Sequence, residues 1–188
     1  MIEETPEPRT RIRTIVVFSL LFSVFAAVVL FGYWTTYLRP TTTIIVVRHA
    51  EKISDANNPN PDLSPAGQAR SQELARVLAN SGVSKIFATQ DVHTKQTVQP
   101  LANTLQVQIT QVDANDTPEL IRQIDKHRGE TILVSGNGNT IPGIIQALGG
   151  GRVPDIPDSE YDNLYVLSIY RYGTAKVTRL RYGARNAQ

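Results

Sequence analysis

The chain has 188 residues, with 19 Lys and Arg against 17 Asp and Glu, a formal charge of +2, and no cysteine. The lack of cysteine excludes a disulfide framework, thiol catalysis and cysteine metal sites. Length and composition fit one folded domain with an appendage.

The appendage comes first. Ile15 to Trp34 reads IVVFSLLFSVFAAVVLFGYW, a run without a single charge. At about 1.5 Å per residue it is long enough for the roughly 30 Å hydrocarbon core of a bilayer. Ser19 and Ser23 are its only hydroxyl-bearing residues before Tyr33, and Tyr33, Trp34 and Tyr37 cluster at its end as an aromatic belt does. The pattern predicts a transmembrane helix over residues 15–38, a signal anchor holding the chain to the lipid bilayer. Arg9, Arg11 and Arg13 precede it and Arg39 alone follows closely. The positive-inside rule then puts residues 1–14 in the cytoplasm and the rest on the outer side of the plasma (inner) membrane. A cleaved signal peptide is the competing reading. Against it, the apolar run exceeds the roughly 7 to 15 residues of a signal h-region, and no small-x-small site follows before Arg39.

The first forty residues hold Arg9, Arg11, Arg13 and Arg39 and Glu3, Glu4 and Glu7, which leaves 15 basic and 14 acidic side chains beyond them. That domain, residues 41–188, is nearly neutral and has no Lys/Arg run of the length a nucleic-acid patch needs, so the basic pI is no evidence of a nucleic-acid partner and none is expected. Its size suffices for one layered core.

Within it, strand-like and helix-like patterns alternate. Thr43 to Val47 is an unbroken β-branched run. LSPAGQARSQELARVLANSG follows, with Ser64 as N-cap, Pro65 at the first helical position, Leu74, Val77 and Leu78 at helical spacing, and a stop at Gly82. Next are a strand over 85–88, a helix over 94–105, a strand over 107–110, a helix over 118–127, the strand TILVS at 131–135 and a helix over 140–148. GGGRVPDIPDSEYD reads as a surface loop. The tail YDNLYVLSIYRYGTAKVTRLRYG reads as two strands joined near Tyr172, Gly173 and Thr174. The rhythm predicts an α/β three-layer sandwich on a mainly parallel sheet, with an antiparallel C-terminal edge hairpin.

In such sheets ligands meet the residues just after the carboxyl ends of the strands. Arg48 and His49 are such residues, and so is the loop SGNGNT, whose following helix offers free N–H groups to an anion. The loop satisfies neither GxGxxG nor GxxxxGK[ST], and a lone strand-end histidine is an ordinary feature. An Arg-His pair after one strand combined with a glycine loop after a later parallel strand points to a phosphate site.

Four blocks in order, VVRHAEK, LSPAGQARSQELARVL, IFATQDVHTKQTVQPLA and ILVSGNGNTIPGIIQALGG, resemble the histidine phosphatase superfamily, also called phosphoglycerate mutase-like, and within it the small bacterial branch that carries RHAEK. The resemblance spans roughly residues 43–150. It implies a metal-independent and cofactor-free phosphomonoesterase in which His49 attacks phosphorus to form a phosphohistidine that water hydrolyses. It implies Arg48 as the clamp on the phosphoryl oxygens. The implied partner is a small phosphorylated substrate or ligand.

The chain departs from the family pattern twice. The family's second arginine, in R-T-x-Q-T, is His93 here with Thr97 retained, and its second histidine, in V-x-G-H-x-N-T, is Asn137. Both exchanges remove charge or a protonatable group, and losing one preorganised donor costs on the order of a hundredfold in rate. The implied phosphate-binding set is thus Arg48, His93, Asn137 and Gly138. Lys52, on the strand-end loop, is a candidate to replace the lost charge, whereas Lys95 should face elsewhere. Family members commonly use a carboxylate to protonate the leaving group, sometimes one soon after the third strand, which points to Asp113, with Glu51, Asp62 and Asp116 as alternatives. His127 reads as a helix-end residue. Two functions stay open: a phosphatase with impaired activity, or a noncatalytic pseudophosphatase that binds a phosphorylated ligand.

Overall fold

A computed structural model describes residues 8–37, 41–169 and 175–185. The chain divides into two units after residue 39. In the first, helix α1 runs Pro8–Tyr37, and its stretch Ile12–Trp34 is long and apolar enough to cross a membrane. Phe18, Leu21, Phe22, Phe25 and Leu30 are all exposed, so the helix has an apolar surface all round rather than a single buried stripe. The Ser23 hydroxyl donates to the Ser19 carbonyl at 2.9 Å, which satisfies it within the helix.

The second unit is built on strand β1, Thr42–Arg48, whose consecutive aliphatic residues are buried on both sides. Ile44 and Val46 pack into one core with Ile141, Ile144 and Ile145, and Ile45 and Val47 into another with Leu74, Val98 and Leu101. Alternate side chains of a strand point to opposite faces, so a strand covered on both faces needs an unbroken apolar run. The remaining elements are α2 (Pro65–Leu78), β2 (Val83–Thr89), α3 (Val92–Leu105), β3 (Ile109–Val112), α4 (Thr117–Asp125), β4 (Thr131–Gly136), α5 (Ile141–Ala147), β5 (Asn163–Ile169) and β6 (Ala175–Arg181). The described strands form one sheet in the order β3-β2-β4-β1-β5-β6. β1, β2, β3 and β4 pair in parallel, and β5 and β6 are antiparallel at one edge. Helices α2 and α3 belong to one core and α4 and α5 to the other. This is the expected three-layer α/β sandwich. The hairpin turn expected at Tyr172, Gly173 and Thr174 lies outside the described residues.

One strand begins later than its pattern predicts. Gln106 closes α3 in the left-handed region at φ 55°, and Val107 N–H donates back to the Ala102 carbonyl at 3.0 Å. Residues 107 and 108 are therefore spent on the helix cap, and β3 starts at Ile109.

The loop after β1 is pinned to the start of α2. The predicted N-cap forms, with the Ser64 hydroxyl accepting from Gly67 N–H at 3.2 Å, while Ser64 N–H donates to the Glu51 carbonyl at 2.9 Å. Arg70 grips the Glu51 carboxylate with three hydrogen bonds of 2.7 to 3.0 Å. Gly67 lies so close that a Cβ there would stand 2.0 Å from the Glu51 carbonyl oxygen. Gly67→Ala must push backbone from backbone and should lower the unfolding free energy by about 1 to 3 kcal/mol, read as a fall in the urea midpoint.

Candidate active site

The functional candidates converge where β1, β2 and β4 end. Arg48, the last residue of β1, stands opposite Gly136 of β4, and His49 N–H extends the pairing by donating to the Gly136 carbonyl at 2.9 Å. His93 sits in the first turn of α3, and Asn137 and Gly138 follow β4. A cavity of about 290 Å³ is lined by Arg48, Lys52, Asp91, His93, Asn137 and Gly138, with Asp158 on its rim. The structure thus brings the predicted phosphate-binding set together, with the His49 ring 4.4 Å from that of His93. Thr97 ties the loop to α3. Its hydroxyl accepts from Ala50 N–H at 2.8 Å and donates to the His93 carbonyl at 2.7 Å.

His49 is 4% exposed, and its Nδ1 lies 2.8 Å from the Ala50 carbonyl oxygen. A carbonyl only accepts, so Nδ1 carries the proton and Nε2 keeps its lone pair. That is the tautomer a nucleophilic imidazole needs.

Arg48 is 5% exposed and well partnered. Nη1 donates to the carbonyls of Pro157 at 2.7 Å and Glu160 at 3.3 Å, and Nη2 to the Asp158 carboxylate at 3.2 Å. Its guanidinium carbon lies 4.5 Å from the Tyr161 ring centroid. Nε finds no hydrogen-bond partner among the described residues. Gly138 packs against the same side chain, and a Cβ there would come 3.1 Å from Nε.

The two departures from the family pattern meet each other through a carboxylate. Asn137 Nδ2 donates to Asp91 Oδ2 at 2.9 Å, and its Oδ1 lies 3.4 Å from His93 Nε2. Asp91 also accepts from the Thr89 hydroxyl at 3.2 Å. Burial alone would raise the Asp91 carboxyl, but the hydrogen bonds from Asn137 and Thr89 outweigh it and hold the group below its ordinary value.

The expected proton donors are elsewhere. Asp113 is exposed after β3, accepts from Asn115 N–H at 2.9 Å, and does not line this cavity. Glu51 is committed to Arg70, Asp62 accepts from Gln96 at 2.7 Å, and Asp116 caps α4 through Glu119 N–H at 2.9 Å. Asp91 and Asp158 are the carboxylates that reach the cavity. Asp91 follows β2 just as His49 follows β1, so the rule that found His49 also finds Asp91 when applied to the second strand. Asp158 and Tyr161 come from the turn-rich loop and have no such signal. Lys52 lines the cavity as expected of a stand-in cation. Lys95 lies in a separate depression with Gln99 and Gln108, and His127 pairs with Glu130 at 3.0 Å. Among the described residues no group of three His, Asp or Glu is placed to hold a metal ion.

Residues 44–115 match the model of the histidine phosphatase superfamily (branch 1). The first half of the folded domain is thus similar in sequence to that superfamily. Solved structures agree in fold. The protein histidine phosphatase SixA complexed with tungstate superposes with a TM-score of 0.61 at 13% identity, covering 74% of this chain and 96% of that one. A mycobacterial glucosyl-3-phosphoglycerate phosphatase gives 0.57 at 11%, covering 79% and 100%. A phosphoserine phosphatase from Entamoeba histolytica in complex with 3-phosphoglyceric acid gives 0.54 at 14%, covering 78% and 98%. None of the curated proteins compared with the chain matches it in sequence.

In this domain burial lowers the His49 imidazole from 6.5 to about 4, against the Ala50 hydrogen bond and with help from His93, Arg48 and Lys52. His93 is lowered too, mainly by burial. Both are bases kept neutral by the fold, so the unfolded chain takes up protons first as pH falls. Stability should be complete above about pH 6.5 and decline toward pH 4. His49 alone accounts for about 2 kcal/mol by pH 5. Urea midpoints between pH 7.5 and 5 check this, and His49→Gln should flatten the slope whatever it does to absolute stability.

Proposed function

We propose that the domain hydrolyses phosphomonoesters through a phosphohistidine on His49, at a rate lowered by His93 and Asn137. The observation that carries this is the Ala50 hydrogen bond, which leaves Nε2 unprotonated on a ring 4.4 Å from that of His93. The Nε2 lone pair forms the N–P bond as the P–O bond to the leaving group breaks, with Arg48 and Lys52 facing the charge on the phosphoryl oxygens. Water then attacks phosphorus, loses a proton to solvent, and releases phosphate with the electron pair returning to Nε2.

The proton for the leaving oxygen is the weak point. Asp91 is held ionised and His93 is held neutral, so neither is a ready acid near pH 7. Substrates whose leaving groups depart as stable anions are therefore favoured. With the full chain in detergent, p-nitrophenyl phosphate should be turned over slowly, alkyl phosphates far more slowly still, and His49→Ala not at all. His93→Arg combined with Asn137→His should raise turnover by about a hundredfold or more. Equal activity of His49→Ala and the unmodified chain would sink the mechanism.

A second reading, a noncatalytic module that binds a phosphorylated ligand, is favoured by the commitment of Asn137 to Asp91. Turnover by the restored double variant alone would decide for it.

We also infer that residues 15–38 anchor the domain in the plasma (inner) membrane as a single span, with residues 1–14 in the cytoplasm and residues 41–188 outside. The support is the charge-free run flanked by Arg9, Arg11 and Arg13. Because the chain has no cysteine, an Asn58→Cys variant carries one thiol at an exposed position. A membrane-impermeant maleimide should label it from outside in spheroplasts, and labelling only after lysis would reverse the topology.

A further inference from the structure

The segment between α5 and β5 forms no helix or strand over residues 150–162, yet it is fastened at both ends. Ile156 is buried in the core, and beyond the middle Glu160 and Asp162 are held by Arg179 and Arg181 at 2.9 and 2.7 Å. Between these anchors the chain turns over the end of β1. Arg48 takes the Pro157 carbonyl, the Asp158 carboxylate and the Glu160 carbonyl in turn, and Tyr161 stacks on its guanidinium.

We propose that residues 157–161 are a strap whose Asp158 carboxylate occupies the Arg48 clamp as an internal anion, so that a phosphoryl group binds only by displacing it. The inference rests on Arg48 being the phosphate clamp and concerns the regulation of that site. The reason is stoichiometric. A guanidinium has five N–H donors; the strap takes both Nη1 hydrogens and one of the two on Nη2, and Nε is sealed under Gly138 without a partner among the described residues. A phosphoryl group that engages Nη2 with both hydrogens must take the one that Asp158 holds.

The strap is built to yield. The Asp158 side chain is fully exposed apart from this contact, so the pair is weak and screened by salt, whereas the Pro157 and Glu160 carbonyls satisfy the buried guanidinium without a countercharge. Asp158 faces the 290 Å³ cavity, while Ser159 and Tyr161 line a neighbouring cavity of about 640 Å³. The Tyr161 ring lies 5.8 Å from that of His49. Lifting the strap would open His49, now almost wholly buried, from the side of the larger cavity.

The test is calorimetric titration of the detergent-solubilised full chain with inorganic phosphate, for the unmodified protein, Asp158→Asn and Arg48→Ala. Asp158→Asn removes the competing charge and should tighten Kd by about two- to fivefold at low salt, the range an exposed ion pair supports. The gain should vanish in about 1 M salt, where the screening length falls to roughly 3 Å. Arg48→Ala should abolish binding. If Asp158→Asn binds phosphate with unchanged or weaker Kd, while Arg48→Ala still loses it, the strap is no competitor and the phosphate site stands. If no protein binds, or Arg48→Ala binds normally, the strap and the phosphate-clamp reading fall together.

Discussion

A guanidinium buried at the end of a strand is the constraint from which the rest of the site follows. Arg48 is carried inward because β1 is covered on both faces and pairs with β4 up to its last residue. A buried cation without partners is unaffordable, and the surrounding structure supplies them. The loop before β5 folds back to offer two carbonyls and a carboxylate, and Tyr161 covers the flat face. Gly138 lets the loop after β4 approach without a side chain in the way. The turn-rich segment that joins α5 to β5 thus has a physical assignment, to keep an arginine satisfied at the mouth of a cavity.

The histidine beside it obeys the opposite logic. His49 is buried as a neutral group: burial, the neighbouring His93, and the charges of Arg48 and Lys52 outweigh the Ala50 hydrogen bond, which alone would favour the charged form. Its tautomer is set by a main-chain carbonyl one residue away, a contact that needs no neighbouring side chain. The proposed nucleophile is thus oriented by the main chain, whereas the positions that depart from the family pattern, His93 and Asn137, contribute through their side chains. Asn137 and His93 no longer add charge, and both now lean on Asp91.

Layer order, the parallel sheet, the N-cap at Ser64 and the gathering of Arg48, His49, His93, Asn137 and Gly138 were legible in the sequence, because each depends on local pattern or on the rule that strand ends face the ligand crevice. Which carboxylates reach the cavity was not. Asp113 follows β3, which lies at the sheet edge beyond β2, so its side chain is carried away from the cavity, whereas β2, adjacent to β4, delivers Asp91. Strand order is a property of the whole sheet, and reading along the chain does not reveal it. Asp158 and Tyr161 were invisible for a related reason. They reach Arg48 across more than a hundred residues of sequence from a segment with no periodicity, placed only by the anchors at Ile156 and β6.

Charge balance then bears on what such a site does. Arg48 and Lys52 face Asp91 and Asp158 across the same small cavity, so the resting pocket has almost no net charge. A phosphoryl dianion arriving there is drawn by two cations and opposed by two carboxylates. It gains only to the extent that one carboxylate leaves. Asp91 is fixed by two hydrogen bonds and stays, whereas Asp158 rides on an exposed turn and goes. Moving Asp158 out turns a neutral pocket into one of net charge about +1 and uncovers the imidazole at the same time, so ligand affinity and nucleophile access are raised by one displacement. That coupling arises from a single arginine having to be satisfied when no ligand is bound.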